Sequence, residues 1–151
     1  MSVKILLVED HNVMRAGLRE LILEQPDYEI VGETDNGIEA VALAKAFSPD
    51  VILMDITLRD AGMTGIEATR EILETQKDIK IIGLSVWADA SHVKAMISAG
   101  AMGYLSKTCS EEEMLEAIRA VLENNVYFSE EVKTTIQEEF VYDLQKPTKN
   151  N

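Results

Sequence analysis

The sequence between residues 50 and 55 reads Asp50-Val51-Ile52-Leu53-Met54-Asp55. Four consecutive apolar residues between polar ones are typical of a strand that is buried on both faces, as the strands of a parallel sheet are. Short apolar runs of the same kind occur at residues 3–8, 28–32, 79–84 and 102–105. The sequence therefore predicts five strands, and Asp55 directly follows the third.

Amphipathic segments alternate with these apolar runs. The first segment has an apolar side built from residues at helical spacing, namely Met14, Leu18, Leu21 and Ile22. Four further helical patterns follow, at about residues 37–47, 65–75, 89–99 and 110–122. Because strands and helices alternate strictly, the sequence predicts an α/β fold in which helices cover both faces of a doubly wound, five-stranded parallel sheet.

The end of the chain departs from this alternation. Residues 126–128 form a short apolar stretch, and residues 129–144 are predicted to form an extra C-terminal helix with one apolar side, made of Val132, Ile136, Phe140 and Leu144. Residues 145–151 are polar, and we expect them to be disordered. We therefore divide the chain into a domain at 1–125 and a linker or extra helix at 126–151.

Charge and composition restrict the classes of function. Acidic residues outnumber basic ones by 27 to 14, and the net charge is −13. Binding to nucleic acid requires a basic face, so we expect no direct nucleic-acid binding by this segment. No apolar run is long enough to cross a membrane. The single cysteine, Cys109, fits a reducing compartment, and we expect a cytoplasmic protein without a membrane partner.

Polar side chains follow four of the predicted strands. They are Glu9 and Asp10 after the first strand, Asp55 after the third, Ser85 after the fourth and Lys107 after the fifth. The carboxyl ends of parallel strands meet at one edge of a sheet, where such folds bind ligands. We therefore expect these five side chains to lie close together.

This set of side chains suits phosphoryl transfer. Clustered carboxylates repel one another and favour a hard cation such as Mg²⁺, which also neutralises a phosphoryl group. A carboxylate can attack that group to give an acyl phosphate, while an ammonium and a hydroxyl contact the phosphoryl oxygens. Asp55 is the candidate acceptor, and Lys107 and Ser85 are the candidate contacts.

The positions of Glu9-Asp10, Asp55, Ser85 and Lys107 resemble those of the CheY-like receiver domain of two-component response regulators, and the match covers nearly all of residues 3–124. The resemblance implies a flavodoxin-like strand order, 2-1-3-4-5. It also implies that a sensor histidine kinase phosphorylates Asp55 in a reaction that requires Mg²⁺. Such a domain is a signalling module rather than an enzyme, with at most self-phosphorylation and self-dephosphorylation activity.

The resemblance assigns further roles to individual residues. Glu9, Asp10, Asp55 and the backbone carbonyl of Thr57 are the expected Mg²⁺ ligands. Tyr104 is the expected switch residue, which turns inward when Ser85 moves toward the phosphoryl group. This movement would reshape the face formed by the fourth helix, the fifth strand and the fifth helix.

Residues 8–11, 100–107 and 117–121 are most similar to receivers that precede a LuxR-type (NarL/FixJ-like) helix-turn-helix domain. No such domain lies within these 151 residues. We expect a receiver that belongs to a longer transcription regulator, and a stand-alone receiver is the alternative. A homodimer is plausible through the fourth helix, fifth strand and fifth helix, or through the first and last helices.

The chain also departs from the family pattern. Leu58 and Arg59 stand where the family commonly has Met-Pro, and Gly65 comes two residues late, so the loop at 59–64 is longer. Thr57 and Trp87 occupy the positions that flank the phosphoryl group, and Trp87 is a candidate for shielding an acyl phosphate from water. His11 begins a helix, and we expect it to be solvated.

Three other classes of protein compete with this interpretation. A haloacid-dehalogenase-like phosphatase needs a second aspartate where Thr57 stands. A flavodoxin-like binder needs a phosphate loop where Glu9 and Asp10 would repel phosphate. A pseudo-receiver, which binds proteins without being phosphorylated, usually lacks one of the site residues. That last class is the second hypothesis.

Overall fold

The computed structural model describes residues 2–59, 62–86 and 89–145, without the side chains of Phe140 and Asp143. Within these ranges the strands are β1 (Val3–Val8), β2 (Tyr28–Thr34), β3 (Val51–Asp55), β4 (Lys80–Ser85), β5 (Gly103–Ser106) and β6 (Tyr127–Phe128). The helices are α1 (Asn12–Leu23), α2 (Gly37–Phe47), α3 (Gly65–Thr75), α4 (Ala90–Ala99), α5 (Glu111–Leu122) and α6 (Glu130–Gln145). None of these helices is long and apolar enough to cross a membrane.

All strand pairs are parallel, and the order is β2-β1-β3-β4-β5-β6. This confirms the α/β parallel sheet and the order of its first five strands. The prediction of only five strands was wrong, because β6 adds to the edge beside β5. The Tyr127 N–H donates to the Met102 carbonyl at 2.9 Å, and the Ser129 N–H donates to the Tyr104 carbonyl at 3.1 Å. A strand of two residues is too short to show a hydrophobic period.

The sequence of β3 is continuously apolar because this central strand is covered by helices on both faces. Val51 and Leu53 pack in the layer beneath α1 and α5, whereas Ile52 and Met54 pack on the opposite face beneath α2, α3 and α4. Every residue of the strand is buried, including Asp55 at its end. The acceptor candidate is therefore carried by a strand whose residues are all buried.

Side-chain hydrogen bonds cap the helices that follow the loops at the edge of the sheet. The Asp89 side chain accepts a hydrogen bond from the His92 N–H at the start of α4, and the Ser110 hydroxyl accepts one from the Glu113 N–H at the start of α5. At the end of α4, Gly100 has a φ of 104°, the left-handed conformation with which glycine commonly ends a helix.

The predicted C-terminal helix is confirmed as α6, which packs against α4 and β5. Val132 is fully buried in the same cluster as Tyr104, and Lys94 of α4 forms an ion pair with Glu139 of α6. Leu144, predicted on the apolar side, is instead exposed. The predicted disordered end, residues 145–151, lies outside the described residues apart from Gln145.

Candidate functional site

The parallel register brings the ends of four strands to one edge of the sheet. Val8 pairs with Met54, and Asp55 pairs with Leu84. The side chains expected to meet at this edge are Glu9, Asp10, Asp55, Ser85 and Lys107. The first three and Lys107 do meet in one cluster, as the following distances show, while Ser85 makes its contact with Tyr104.

Lys107 lies between two buried carboxylates. Its Nζ is 2.9 Å from Asp55 Oδ2 and 3.0 Å from Glu9 Oε1, and it donates a hydrogen bond to Glu9 Oε2 at 3.1 Å. Glu9 and Asp55 are fully buried, and the Lys107 side chain is only 6% exposed. One ammonium thus contacts two carboxyl groups that water cannot reach.

Thr57 fixes the orientation of the Asp55 carboxylate. Its backbone N–H and its hydroxyl donate to Asp55 Oδ1 at 3.0 Å and 3.2 Å. Oδ2 is therefore the oxygen that faces Lys107 and the other acids. The role of the Thr57 carbonyl as a metal ligand stays a prediction.

Asp10 is held from outside the cluster. Asp10 Oδ2 accepts hydrogen bonds from the Arg59 backbone N–H at 2.9 Å and from Arg59 Nε at 3.1 Å. His11 is half exposed, as expected, but its Nδ1 lies 3.0 Å from Glu9 Oε2 and 3.2 Å from Asp10 Oδ1. The sequence pattern did not predict this contact, although a histidine directly after an acidic pair at a strand end is a signal that could have.

The three acids respond differently to this environment. Burial, followed by the contact with Glu9, raises the pKa of Asp55 from 3.8 to about 7, although Lys107 opposes the change. Burial also favours neutral Glu9 and Asp10, but hydrogen bonds from neighbouring groups outweigh it and lower both pKa values, that of Asp10 to about 2. Of the three acids, Asp55 thus has the highest pKa and is the last to lose its proton as pH rises.

These shifts predict how stability depends on pH when no divalent cation is present. A pKa raised in the folded state favours folding below the unfolded value, and this contribution is lost as pH rises through the folded value. Because the pKa of Asp55 is about 7, we expect the free energy of unfolding to decline between about pH 4 and pH 7. Asp10 acts in the opposite direction, but only below about pH 4.

Urea denaturation in a chelating buffer at a series of pH values would measure this decline. Adding Mg²⁺ should reduce it, because a bound cation stabilises the ionised acids. A free energy of unfolding that stays flat or rises over this interval would contradict the prediction.

Three buried oxygens of this cluster have ion-pair contacts with Lys107 or His11 but no hydrogen bond of good geometry: Glu9 Oε1, Asp10 Oδ1 and Asp55 Oδ2. Together with His11, these residues offer ligand atoms that all lie within 4.8 Å of one another. Carboxylate oxygens are the donors that Mg²⁺ prefers. The donor set and its incompletely satisfied oxygens therefore fit a hard divalent cation.

Ser85 and Tyr104 form a second pair beside the cluster. Both residues are buried, and the Ser85 side chain forms a hydrogen bond with that of Tyr104. Burial raises the pKa of Tyr104 to about 12, and the Ser85 contact opposes this increase. The Lys107 N–H also donates to the Ser85 carbonyl at 2.9 Å. The end of β4 is thus connected to both Lys107 and Tyr104.

The longer loop returns to the site at Gly65. A Cβ atom on Gly65 would lie 2.1 Å from the Asp55 carbonyl oxygen and 2.7 Å from Ile56 Cα. Thr64 begins α3 with a capping box shared with Glu67. The prediction that Trp87 shields the site falls outside the described residues.

Residues 5–119 match the family described as the response regulator receiver domain. The transcriptional regulatory protein LiaR of Bacillus subtilis is 46% identical over 118 residues, which are 78% of this chain and 55% of that protein. The response regulator GacA of Pseudomonas aeruginosa is 35% identical over 130 residues, 86% of this chain and 60% of that protein. The chain thus spans little more than half the length of these relatives.

Solved structures agree with the sequence relatives. The crystal structure of a LuxR-family two-component response regulator from Aurantimonas sp. SI85-9A1 has a TM-score of 0.86 and 34% identity, and the alignment covers 93% of this chain and 99% of that one. The family match covers residues 5–119, and LiaR and GacA are 46% and 35% identical to this chain. This chain belongs to the receiver domains of two-component response regulators.

Proposed function

We propose that this receiver accepts a phosphoryl group on Asp55 from a sensor histidine kinase in a reaction that requires Mg²⁺. Membership of the family implies a kinase partner. The observation that carries the choice of Asp55 is its buried Oδ2, which lies 2.9 Å from Lys107 Nζ, while Thr57 holds the other oxygen, Oδ1. Asp55 is also the central acid, in contact with Glu9 and Lys107.

The residues divide the chemistry among them. Asp55 Oδ2 forms the new bond to phosphorus as the bond from phosphorus to the kinase histidine breaks, which gives an acyl phosphate. Thr57 holds Oδ1 and so orients the attacking oxygen. Glu9, Asp10 and Asp55 would hold Mg²⁺, which neutralises charge on the transferred group. Lys107 would exchange its contact with Asp55 for one with a phosphoryl oxygen.

The Ser85–Tyr104 pair supports a route for the signal. A Ser85 hydroxyl that turns toward the phosphoryl group would give up its hydrogen bond with Tyr104. Tyr104 packs in the same cluster as Val132 of α6 and Met96 of α4. A movement of Tyr104 would therefore be felt by both helices.

We propose that the signal leads to an output through transcription. Relatives such as LiaR are transcriptional regulators, and this chain spans about half their length. With a net charge of −13, this segment is a poor ligand for DNA, so we propose that a DNA-binding domain of a longer protein provides the output. We also propose that residues 1–125 form the receiver and residues 126–151 a linker or extra helix, whose α6 packs on α4 and β5. A homodimer is a further proposal.

The test is to incubate the chain with Mg²⁺ and acetyl phosphate, a small phosphodonor, and to record the intact mass. We expect the mass of one phosphoryl group to be added, and chelation of Mg²⁺ to prevent it. A folded chain that binds Mg²⁺ but gains no phosphoryl group from acetyl phosphate or from kinases would favour the pseudo-receiver, a protein-binding module that works without phosphorylation.

A further inference from the structure

Arg59 makes a contact with the site that proline at the same position could not make. It stands four residues after Asp55, where the family commonly has proline. Its backbone N–H donates to Asp10 Oδ2 at 2.9 Å, and its Nε donates to the same oxygen at 3.1 Å. Proline has neither a backbone N–H nor a charged side chain.

The charge of Arg59 is placed at the rim of the acidic cluster. Its side chain is 70% exposed, whereas that of Asp10 is only 9% exposed. Lys107 offsets Glu9 and Asp55 from the inside. Among the described residues, the arginine or lysine in an ion pair with Asp10 is Arg59, and its exposed side chain can move away without any rearrangement of the core.

We propose that Arg59 is a resident counter-ion of Asp10 that competes with the divalent cation and so lowers the affinity of this receiver for Mg²⁺. The inference rests on the proposed function, because it assumes that Asp10 is a metal ligand. Arg59 contacts the expected metal ligand Asp10 and does not contact the reacting atoms.

Two parts of the contact have different consequences. The backbone N–H remains in every side-chain variant, so it continues to hold Asp10 Oδ2 and leaves Oδ1 directed at the cluster. Only the guanidinium charge is lost when the side chain changes. That charge repels a divalent cation bound to the same carboxylate, and the repulsion is weakened by solvent because the side chain is exposed.

The experiment compares Arg59→Gln, which removes the charge, with Arg59→Lys, which keeps it. Arg119→Gln is the matched control, since Arg119 is exposed in the last turn of α5 and lies near Tyr28 at the opposite end of the sheet. Isothermal titration calorimetry would measure the Mg²⁺ dissociation constant at low ionic strength, without a phosphodonor.

We expect Arg59→Gln to bind Mg²⁺ roughly three- to tenfold more tightly than wild type, which is about the effect of one screened charge. Arg59→Lys and Arg119→Gln should stay within about twofold of wild type. High salt should reduce the difference between wild type and Arg59→Gln.

Other outcomes overturn the inference in distinguishable ways. Weaker binding by both Arg59 variants would mean that the side chain positions Asp10 for the metal. Equal binding by all variants would mean that Arg59 has no influence on the cation. No Mg²⁺ binding by the wild-type chain would refute the proposed function itself, and the inference with it.

Discussion

Asparagine in place of Asp55 is expected to abolish phosphoryl transfer completely while making the metal-free protein more stable. Phosphoryl transfer is lost because the neutral amide of asparagine is too weak a nucleophile to accept the phosphoryl group. The carboxylate of Asp55, in contrast, forms an acyl phosphate. The gain follows because Asp55 is a fully buried acid beside Glu9, with a pKa of about 7. Near neutral pH, Asp55 is partly ionised, and its buried negative charge beside Glu9 destabilises the folded state.

The size of the gain can be bounded. A shift from 3.8 to about 7 corresponds to at most about 4 kcal/mol at pH values above the folded pKa. Relaxation of a coupled cluster reduces this amount, so we expect Asp55→Asn to raise the free energy of unfolding by roughly 2 kcal/mol near pH 8. The asparagine amide can also donate a hydrogen bond to Glu9.

Two measurements check this prediction, namely intact mass after treatment with acetyl phosphate and Mg²⁺, and urea denaturation in a chelating buffer. Asp78→Asn is the control, because Asp78 is an exposed acid before β4, at the opposite end of the sheet. This control should be phosphorylated normally and should unfold as wild type does. If Asp55→Asn still gained a phosphoryl group, another residue would be the acceptor.

The strand ends are the part of the site that the sequence predicts well. Each buried strand is recognised by its apolar run, so the polar residues just after it are placed at the edge of the sheet. This logic brought Glu9, Asp55 and Lys107 together, and the structure confirms that they meet. The strength of the prediction comes from the parallel arrangement, which fixes the same edge for every strand end.

Contacts made by loop residues could not be predicted from the apolar runs. The bond between Arg59 and Asp10 joins residues 49 positions apart through a loop whose path no periodicity specifies. His11 was placed correctly at a helix start, but the direction of its ring depends on the acids beside it. β6 was missed because two residues carry no pattern.

Gly65 illustrates both the reach and the limit of sequence reasoning. Comparison with the family pattern identified it as a glycine displaced by two residues, without a reason for its being glycine. The structure supplies the reason, since its missing side chain leaves room for the backbone of Asp55 and Ile56. Glycine at this position permits the close approach of α3 to the end of β3.

Gly65→Ala is therefore expected to destabilise the protein by at least about 3 kcal/mol, although alanine is the better helix former. The added Cβ would lie 2.1 Å from the Asp55 carbonyl oxygen. That atom belongs to the backbone of a fully buried strand, so it cannot turn away as a side chain would. Relief requires α3 to move away from β3.

Gly17→Ala is the matched control, because a Cβ on Gly17 would meet nothing within 4 Å. Gly17 lies inside α1, so this variant should gain roughly 0.5–1 kcal/mol from helix propensity. Urea denaturation of both variants would measure the contrast. If Gly65→Ala were as stable as wild type, the close contact would not constrain the fold. If Gly65→Ala is destabilised but folded, phosphorylation should also be slower. The shifted Asp55 backbone would no longer hold the carboxylate in its contact with Lys107.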